Sequence, residues 1–205
     1  MKQFLGSKKF WYGVLGFFAL QSIWLALTAR YPMAFDENFH YGLIKLHAEQ
    51  WLPWFAHQPP HAAEFGSVVR DPSYLYHYLL SLPYRLLKPL GDTPTILALR
   101  FLNIGFFMGG LLLMRRVLLR LHLSQAFTNV SLAMLTLIPV VPFLAATINY
   151  DNLFVPIFAA ALLLTFAVFD EFGRGKVPAA QLLGLFSLLL LGCLVKYPFL
   201  PVALV

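Results

Sequence analysis

Apolar and polar positions are laid out in blocks along the 205-residue chain. Met1 to Lys9 is short and basic, with Lys2, Lys8 and Lys9. Phe10 to Ala29 follows without a charge and is long enough to cross the hydrocarbon core of a bilayer. A cleaved signal peptide is the competing reading of this run. The run is longer than a usual signal core, however, and Leu27-Thr28-Ala29 makes a poor cleavage site. In either case the next segment lies on the non-cytoplasmic side.

Residues 30–94 are too charged to span. Within them, Phe35 to Trp51 is expected to form an interfacial helix ended by Pro53. His57 to His61 is expected to be a loop, because Pro59 and Pro60 bar a helix. Ser73 to Leu87 reads as an amphipathic interfacial helix kinked by Pro83. Its Tyr74, Tyr76, Tyr78 and Tyr84 suit the headgroup layer.

From Ile96 to Met114 the pattern spans again, closed by Arg115, Arg116 and Arg120. Ala126 to Ile148 spans back, bent by Pro139 and Pro142, and Asn149 to Asn152 is a polar turn. Leu153 to Phe169 returns, Asp170 to Lys176 is a short charged turn, and Ala179 to Val195 is a fifth span. Lys196-Tyr197-Pro198 follows, and Phe199 to Val205 reads as the start of a sixth. The expected fold is therefore all-α and polytopic: about five complete transmembrane helices in one membrane domain over residues 1–205. A long first outer loop, residues 30–94, carries the interfacial helices.

Composition agrees with this pattern. Sixty per cent apolar residues, twelve per cent charged residues and a mean hydropathy of +0.72 lie outside ordinary soluble composition. The one cysteine, Cys193, excludes a disulfide within the chain and argues against a Cys-based zinc site. The formal charge of +6 does not imply nucleic acid, because the charges fall between apolar blocks. Segments assigned to the cytoplasm hold eight basic residues (Lys2, Lys8, Lys9, Arg115, Arg116, Arg120, Arg174, Lys176) against two acids, Asp170 and Glu171. The outer segments hold the other seven basic and seven acidic residues. That asymmetry is the positive-inside pattern. It predicts a cytoplasmic N-terminus and puts Asp36, Glu37, Asp71, Asp151 and Lys196 on the outer face; the expected location is the plasma (inner) membrane, as a multi-pass protein.

The chemistry-bearing stretch is Ala34 to Gly42. Asp36-Glu37 sits just beyond the first apolar run, with His40 one helical turn after Asp36. A carboxylate just outside the bilayer can stay ionised and accept a proton, while the apolar wall limits water. The plain alternative is an acidic first turn of a helix that offsets the helix dipole.

Phe35-Asp36-Glu37-Asn38-Phe39-His40-Tyr41-Gly42, directly after the first span, resembles the Asp-Glu motif of protein O-mannosyltransferases. Asp71-Pro72-Ser73-Tyr74-Leu75-Tyr76-His77-Tyr78-Leu79-Leu80 is similar to the Pro-Pro-Leu-Tyr-Tyr helix of aminoarabinose transferases, with Ser73 where a second proline is more usual. Gly91 through Arg100-Phe101-Leu102, Asn149-Tyr150-Asp151 and Leu194-Val195-Lys196 follow in the order of these GT-C integral-membrane glycosyltransferases. Members of the family continue with further helices, so residues 1–205 are expected to be the N-terminal part of such a module.

The resemblance implies transfer of a sugar from a polyprenyl-phosphate donor to a glycan, lipid or protein acceptor on the outer face. It implies a catalytic role for Asp36 as base, with Glu37 beside it. His40, Tyr74, Arg70, Arg100, Asp151 and Lys196 are the expected substrate-binding residues. Cations such as Lys196 would stabilise the leaving lipid phosphate, although Arg85, Lys88 and Arg100 also suit the bland role of snorkelling anchors. No metal site is assigned. A divalent metal stays an alternative, since Asp36, Glu37, His40 and Asp151 carry suitable ligand atoms. His57 and His61 have ligand spacing, but the prolines between them remove the helix it needs. A transporter or flippase component, or a non-catalytic membrane scaffold, is the competing functional class. Intramembrane charges would favour the transporter, and the spans carry almost none away from their ends.

Overall fold

Two serines start two of the helices. Ser7 accepts a hydrogen bond from the Phe10 N–H (3.1 Å) and Ser124 from that of Phe127 (3.2 Å), satisfying donors that a first turn leaves free. In the protein, described here by a computed structural model covering residues 2–34 and 36–200, a short helix α1 (Lys2–Leu5) precedes α2 (Lys8–Thr28). Then come α3 (Glu37–Ala48), α4 (Leu75–Leu87), α5 (Asp92–Arg120), α6 (Gln125–Leu137), α7 (Val140–Ala145), α8 (Asp151–Gly173) and α9 (Ala179–Val195). Single 3-10 segments lie at Pro60–Phe65, Lys88–Leu90 and Tyr197–Phe199. No strand occurs among the described residues. The all-α expectation holds.

Side-chain pairings give the direction of each helix. Phe18 meets Phe107 (ring centroids 5.5 Å apart), and the Arg115 guanidinium lies 5.5 Å over the Trp11 ring, so α5 runs antiparallel to α2. Asn129 of α6 donates to the Leu5 and Ser7 carbonyls (2.8 and 3.3 Å) at one end of α2. Ala146, just after α7, packs with Ala26 at the other end. The α6–α7 stretch therefore runs parallel to α2 along nearly its whole length. α8 crosses α5 where Gly110 leaves room: a Cβ there would collide with Val155 and press on the Pro156 backbone. At the far end of the same pair, Arg120 is ion-paired with Asp170. α9 returns antiparallel to α8, from Gly184 against Leu164 to Lys196 against Asp151.

Each long element thus ends at one of two poles. Lys8, Lys9, Arg115, Arg116 and Arg120 gather at one, with Arg174 and Lys176 after the end of α8. α3, α4 and the candidate chemistry gather at the other. Three helices, α2, α5 and α8, are long and apolar enough to cross a membrane. α9 is apolar but has 17 residues. The expected single bent span over 126–148 is instead two helices. Pro139 and Pro142 lack the N–H that would continue the ladder past Leu137, and the chain re-enters helix only at Val140. The expected start of a sixth span lies largely on residues 201–205, outside the described residues.

The loop between the first two long helices packs on the other pole. Tyr41 and Ile44 of α3 join Tyr76, Leu80 and Tyr84 of α4, Ile96 and Leu99 of α5, Ile148 and Val195 in one buried cluster. The opposite side of α3 buries Leu43 and Leu46 against Phe55, Ala62 and Val68 of the connecting loop. α3 is shorter than the expected Phe35–Trp51. It cannot begin before Glu37 because Asp36 is left-handed (φ 56°). At its other end Arg85 donates to the carbonyls of His47 (3.0 Å), Ala48 (3.2 Å) and Gln50 while stacking on Trp51 (4.3 Å). Arg85 therefore closes the C-terminus of α3, where carbonyls lack partners and the dipole is negative. α4 starts at Leu75, two residues later than expected. The Asp71 carboxylate accepts the Ser73 N–H (2.8 Å), holding that stretch in an Asx turn.

Candidate functional site

The two acids of the Asp-Glu pair have opposite environments. Glu37, the first residue of α3, is fully buried and accepts two hydrogen bonds from Arg100: Nε to Oε1 at 2.8 Å and Nη2 to Oε2 at 2.7 Å. It also accepts the backbone N–H groups of Met33 (2.6 Å) and Ile148 (3.3 Å). The remaining Arg100 donor, Nη1, reaches the carbonyls of Ala26 and Ala29 (both 3.0 Å), closing the end of α2. One ion pair so ties α2, α3, α5 and the α7–α8 connection together. Its geometry is the bidentate fork that makes arginine, and not lysine, suited to a buried carboxylate. With these bonds in place neither Glu37 nor Arg100 has a free group to offer a ligand.

Asp36 is the opposite case. It is exposed, its backbone is left-handed, and its side chain makes no capping hydrogen bond. Aspartate is among the few non-glycine residues that adopt this backbone readily. Helix geometry explains the division of labour. Glu37 opens α3 and turns into the bundle, whereas Asp36 stands just outside the helix in a left-handed backbone and stays exposed.

Next to Asp36 lies a buried imidazole pair. His40 Nδ1 is 2.9 Å from His77 Nε2, the rings nearly parallel at 16°. His47 stacks beyond His77, its centroid 6.4 Å away and the planes 5° apart. The Tyr150 ring meets His40 edge-on at 4.7 Å. Burial pushes His40 down to about 4, opposed by the nearby carboxylates of Asp36 and Asp151 and assisted by Lys196. Burial likewise holds His77 well below the ordinary histidine value, reinforced by His40 and His47. Burial thus favours the uncharged form of both rings.

The third component comes from two other chain segments. Asp151, the first residue of α8, accepts from Lys196 Nζ (2.5 Å), and the same ammonium sits 4.8 Å over the Tyr150 ring. Tyr197 N–H donates to Ser73 Oγ (2.9 Å), docking the segment after α9 against the start of α4. Beneath, Asn103 accepts from Tyr76 OH (2.9 Å), Asn152 Nδ2 (3.0 Å) and the Asn149 N–H (3.4 Å) and donates to the Leu99 carbonyl (2.8 Å). This polar layer fixes the α8 start against α4 and α5.

Of the residues expected from sequence, Asp36, His40, Asp151 and Lys196 therefore come together. Glu37 and Arg100 lie behind them in the buried pair. Tyr74 is half-buried at the start of α4, beside Ser73, and Arg70 is exposed. Neither has a side-chain hydrogen bond or ion pair among the described residues. No group of three or more His, Cys, Asp or Glu suited to holding a metal occurs among the described residues. Sequence reasoning missed His77 and Tyr150 as members of the site. His77 is separated from His40 by 37 positions, and only the packing of α3 on α4 joins them. Comparison with protein-family models, curated proteins and solved structures finds no match to this chain.

Proposed function

We propose that this chain is the N-terminal part of the membrane module of a lipid-linked-sugar glycosyltransferase of the GT-C kind, with Asp36 as the base that receives the proton of an acceptor hydroxyl. The observation that carries this reading is the exposed, unpaired Asp36 carboxylate. It stands beside the His40–His77 pair and the Asp151–Lys196 pair, at the pole opposite the cluster of Lys8, Lys9, Arg115, Arg116 and Arg120. A free carboxylate is what deprotonation of a hydroxyl requires. In the transfer, the hydroxyl oxygen attacks the anomeric carbon, the bond to the lipid phosphate breaks, and the phosphate leaves with the electron pair. Lys196 exchanges Asp151 for that phosphate and offsets its charge.

The same reading takes α6–α7 and α9 as complete traverses alongside α2, α5 and α8, giving five. The N-terminus is then cytoplasmic and the site lies at the outer face of the plasma membrane, where donor and membrane lipids are at hand. Parallel alignment of α6–α7 with α2 and the gathering of basic residues at one pole support it. Single cysteines at Asn38 and Ser124, in a Cys193→Ser background, are expected to react with an impermeant reagent from opposite sides, Asn38 from outside. Labelling of the Ser124→Cys variant from outside overturns the five-traverse count.

The activity test uses the intact protein in membranes with a radiolabelled polyprenyl-phosphate sugar. Asp36→Asn is expected to lower transfer by about a hundred- to ten-thousand-fold, the usual worth of a positioned base, with normal membrane insertion. Transfer within a few-fold of wild type removes Asp36 from the chemistry.

A further inference from the structure

A cavity of about 400 Å³ opens between the end of α3 and the end of α4. Lys45, Ala48, Glu49, Tyr84, Arg85 and Lys88 line it, and it shares no residue with the Asp36–His40 cluster. It is far larger than the roughly 30 Å³ of one water molecule. Its wall has donors to spare. Lys88 is exposed, and neither its ammonium nor the Tyr84 hydroxyl makes a hydrogen bond or ion pair among the described residues. Arg85 uses Nε and Nη2 on the carbonyls that end α3, which leaves its buried Nη1 without a partner. Lys45 holds Asp92 only loosely, at 3.3 and 3.4 Å from its two oxygens. The acids are fewer. Glu49 lies 3.1 Å from His61 Nε2, and Asp92 is shared between Lys45 and Tyr41. Lys45, Arg85 and Lys88 against Glu49 and Asp92 leave one positive charge uncompensated.

The free side of α4 adds an apolar component. Tyr76, Leu80 and Tyr84 pack into the bundle, whereas Leu79, Leu82 and Leu86, at i, i+3 and i+7, stand on the opposite face and are exposed. Leu86 is 81% exposed, and Trp51, stacked on Arg85 from the α3 side, is 79% exposed. Water is a poor solvent for this face, and a lipid tail is a good one. We propose that the cavity binds the headgroup of a phospholipid that carries one phosphodiester charge and an uncharged polyol, its acyl chains lying along Leu82, Leu86 and Trp51. One phosphodiester cancels the one surplus positive charge, whereas a zwitterionic headgroup leaves it standing. Lys88 and Lys45 meet the phosphate as point charges, and Arg85 adds its partly unpaired guanidinium. The Tyr84 hydroxyl and the Glu49 carboxylate suit the hydroxyls of the polyol. Basic pockets beside membrane helices hold anionic headgroups on these terms.

Native mass spectrometry of the full chain in mild detergent tests the site, with dioctanoyl phosphatidylglycerol, dioctanoyl phosphatidylcholine or inorganic phosphate added. Wild type is expected to bind phosphatidylglycerol at least about threefold more tightly than phosphatidylcholine, and inorganic phosphate should not displace the lipid. Lys88→Gln should weaken phosphatidylglycerol about three- to tenfold, the worth of one net hydrogen bond, with rescue by Lys88→Arg. Lys45→Gln, which removes a second exposed cation of the cavity, should weaken it alike. Lys176→Gln, at the opposite pole, should leave it unchanged. Equal affinities for the two lipids overturn the charge argument, and displacement by inorganic phosphate overturns the lipid as the source of the phosphate. Unchanged binding in both Lys88→Gln and Lys45→Gln, or an equal loss in Lys176→Gln, overturns the site.

Discussion

Glu37→Gln tests the buried acid of the Asp36–Glu37 pair apart from the exposed one. The substitution keeps shape but removes the charge that Arg100, 3% exposed, is buried against. Glutamine has one acceptor oxygen where the carboxylate has two. Of the four hydrogen bonds Glu37 accepts, those at one of its oxygens must then meet an amide N–H that can only donate. Breaking a buried pair by removing one partner costs about 3–5 kcal/mol, because an uncompensated charge is left behind. For a chain of this size each kcal/mol shifts Tm by roughly 2–4 °C, so a loss of about 6–20 °C is expected. Cys193, the one cysteine, is half-buried in α9 and reports unfolding directly. The assay is its labelling by a thiol-reactive fluorophore on heating the purified protein in detergent. The control is Asp36→Asn. That site is exposed, asparagine tolerates the left-handed backbone, and its Tm should stay within about 2 °C of wild type. Arg100→Lys should fall in between, since an ammonium cannot reproduce the fork to Glu37 together with the bonds to Ala26 and Ala29. Glu37→Gln melting within 2 °C of wild type would refute the assignment of this pair as the tie between α2, α3 and α5.

Two further outcomes follow from packing and burial. Gly110→Val should lower Tm by several degrees, since its side chain must displace Val155 and the Pro156 backbone, whereas Gly109→Ala, with open space around it, should be neutral; equal effects at the two glycines would undo the close-crossing account of α5 and α8. Acidification should destabilise the fold: burial lowers His40 and His47 to about 4 from an unfolded value near 6.5, so between those pH values the unfolded chain binds more protons. Stability is then full above about pH 6.5 and falls by about 1.4 kcal/mol per pH unit for each ring as pH drops towards 4. A Tm unchanged between pH 7 and pH 5 contradicts neutral burial of these rings.

The sequence by itself determined the helical class, the membrane-scale apolar blocks and the two-pole distribution of charge. All three follow from local length, hydropathy and charge, which need no knowledge of contacts. It also singled out Ala34–Gly42 as the candidate stretch, with Asp151 and Lys196 as its distant companions. Only the tertiary structure decided which acid is free. Asp36 and Glu37 are neighbours with the same functional group, and the difference between them is made by Arg100, which lies 63 positions after Glu37. The same holds for Arg85, one of several interfacial cations by sequence, which folding turns into the cap of α3. His77 gained its place only because α4 packs on α3 and lays its ring against His40. Proline marked where the 126–148 block bends, but whether that bend is a kink or a break depended on the missing N–H groups past Leu137. Local composition fixes which residues can be helical or immersed, whereas partner choice among identical groups is set by long-range packing.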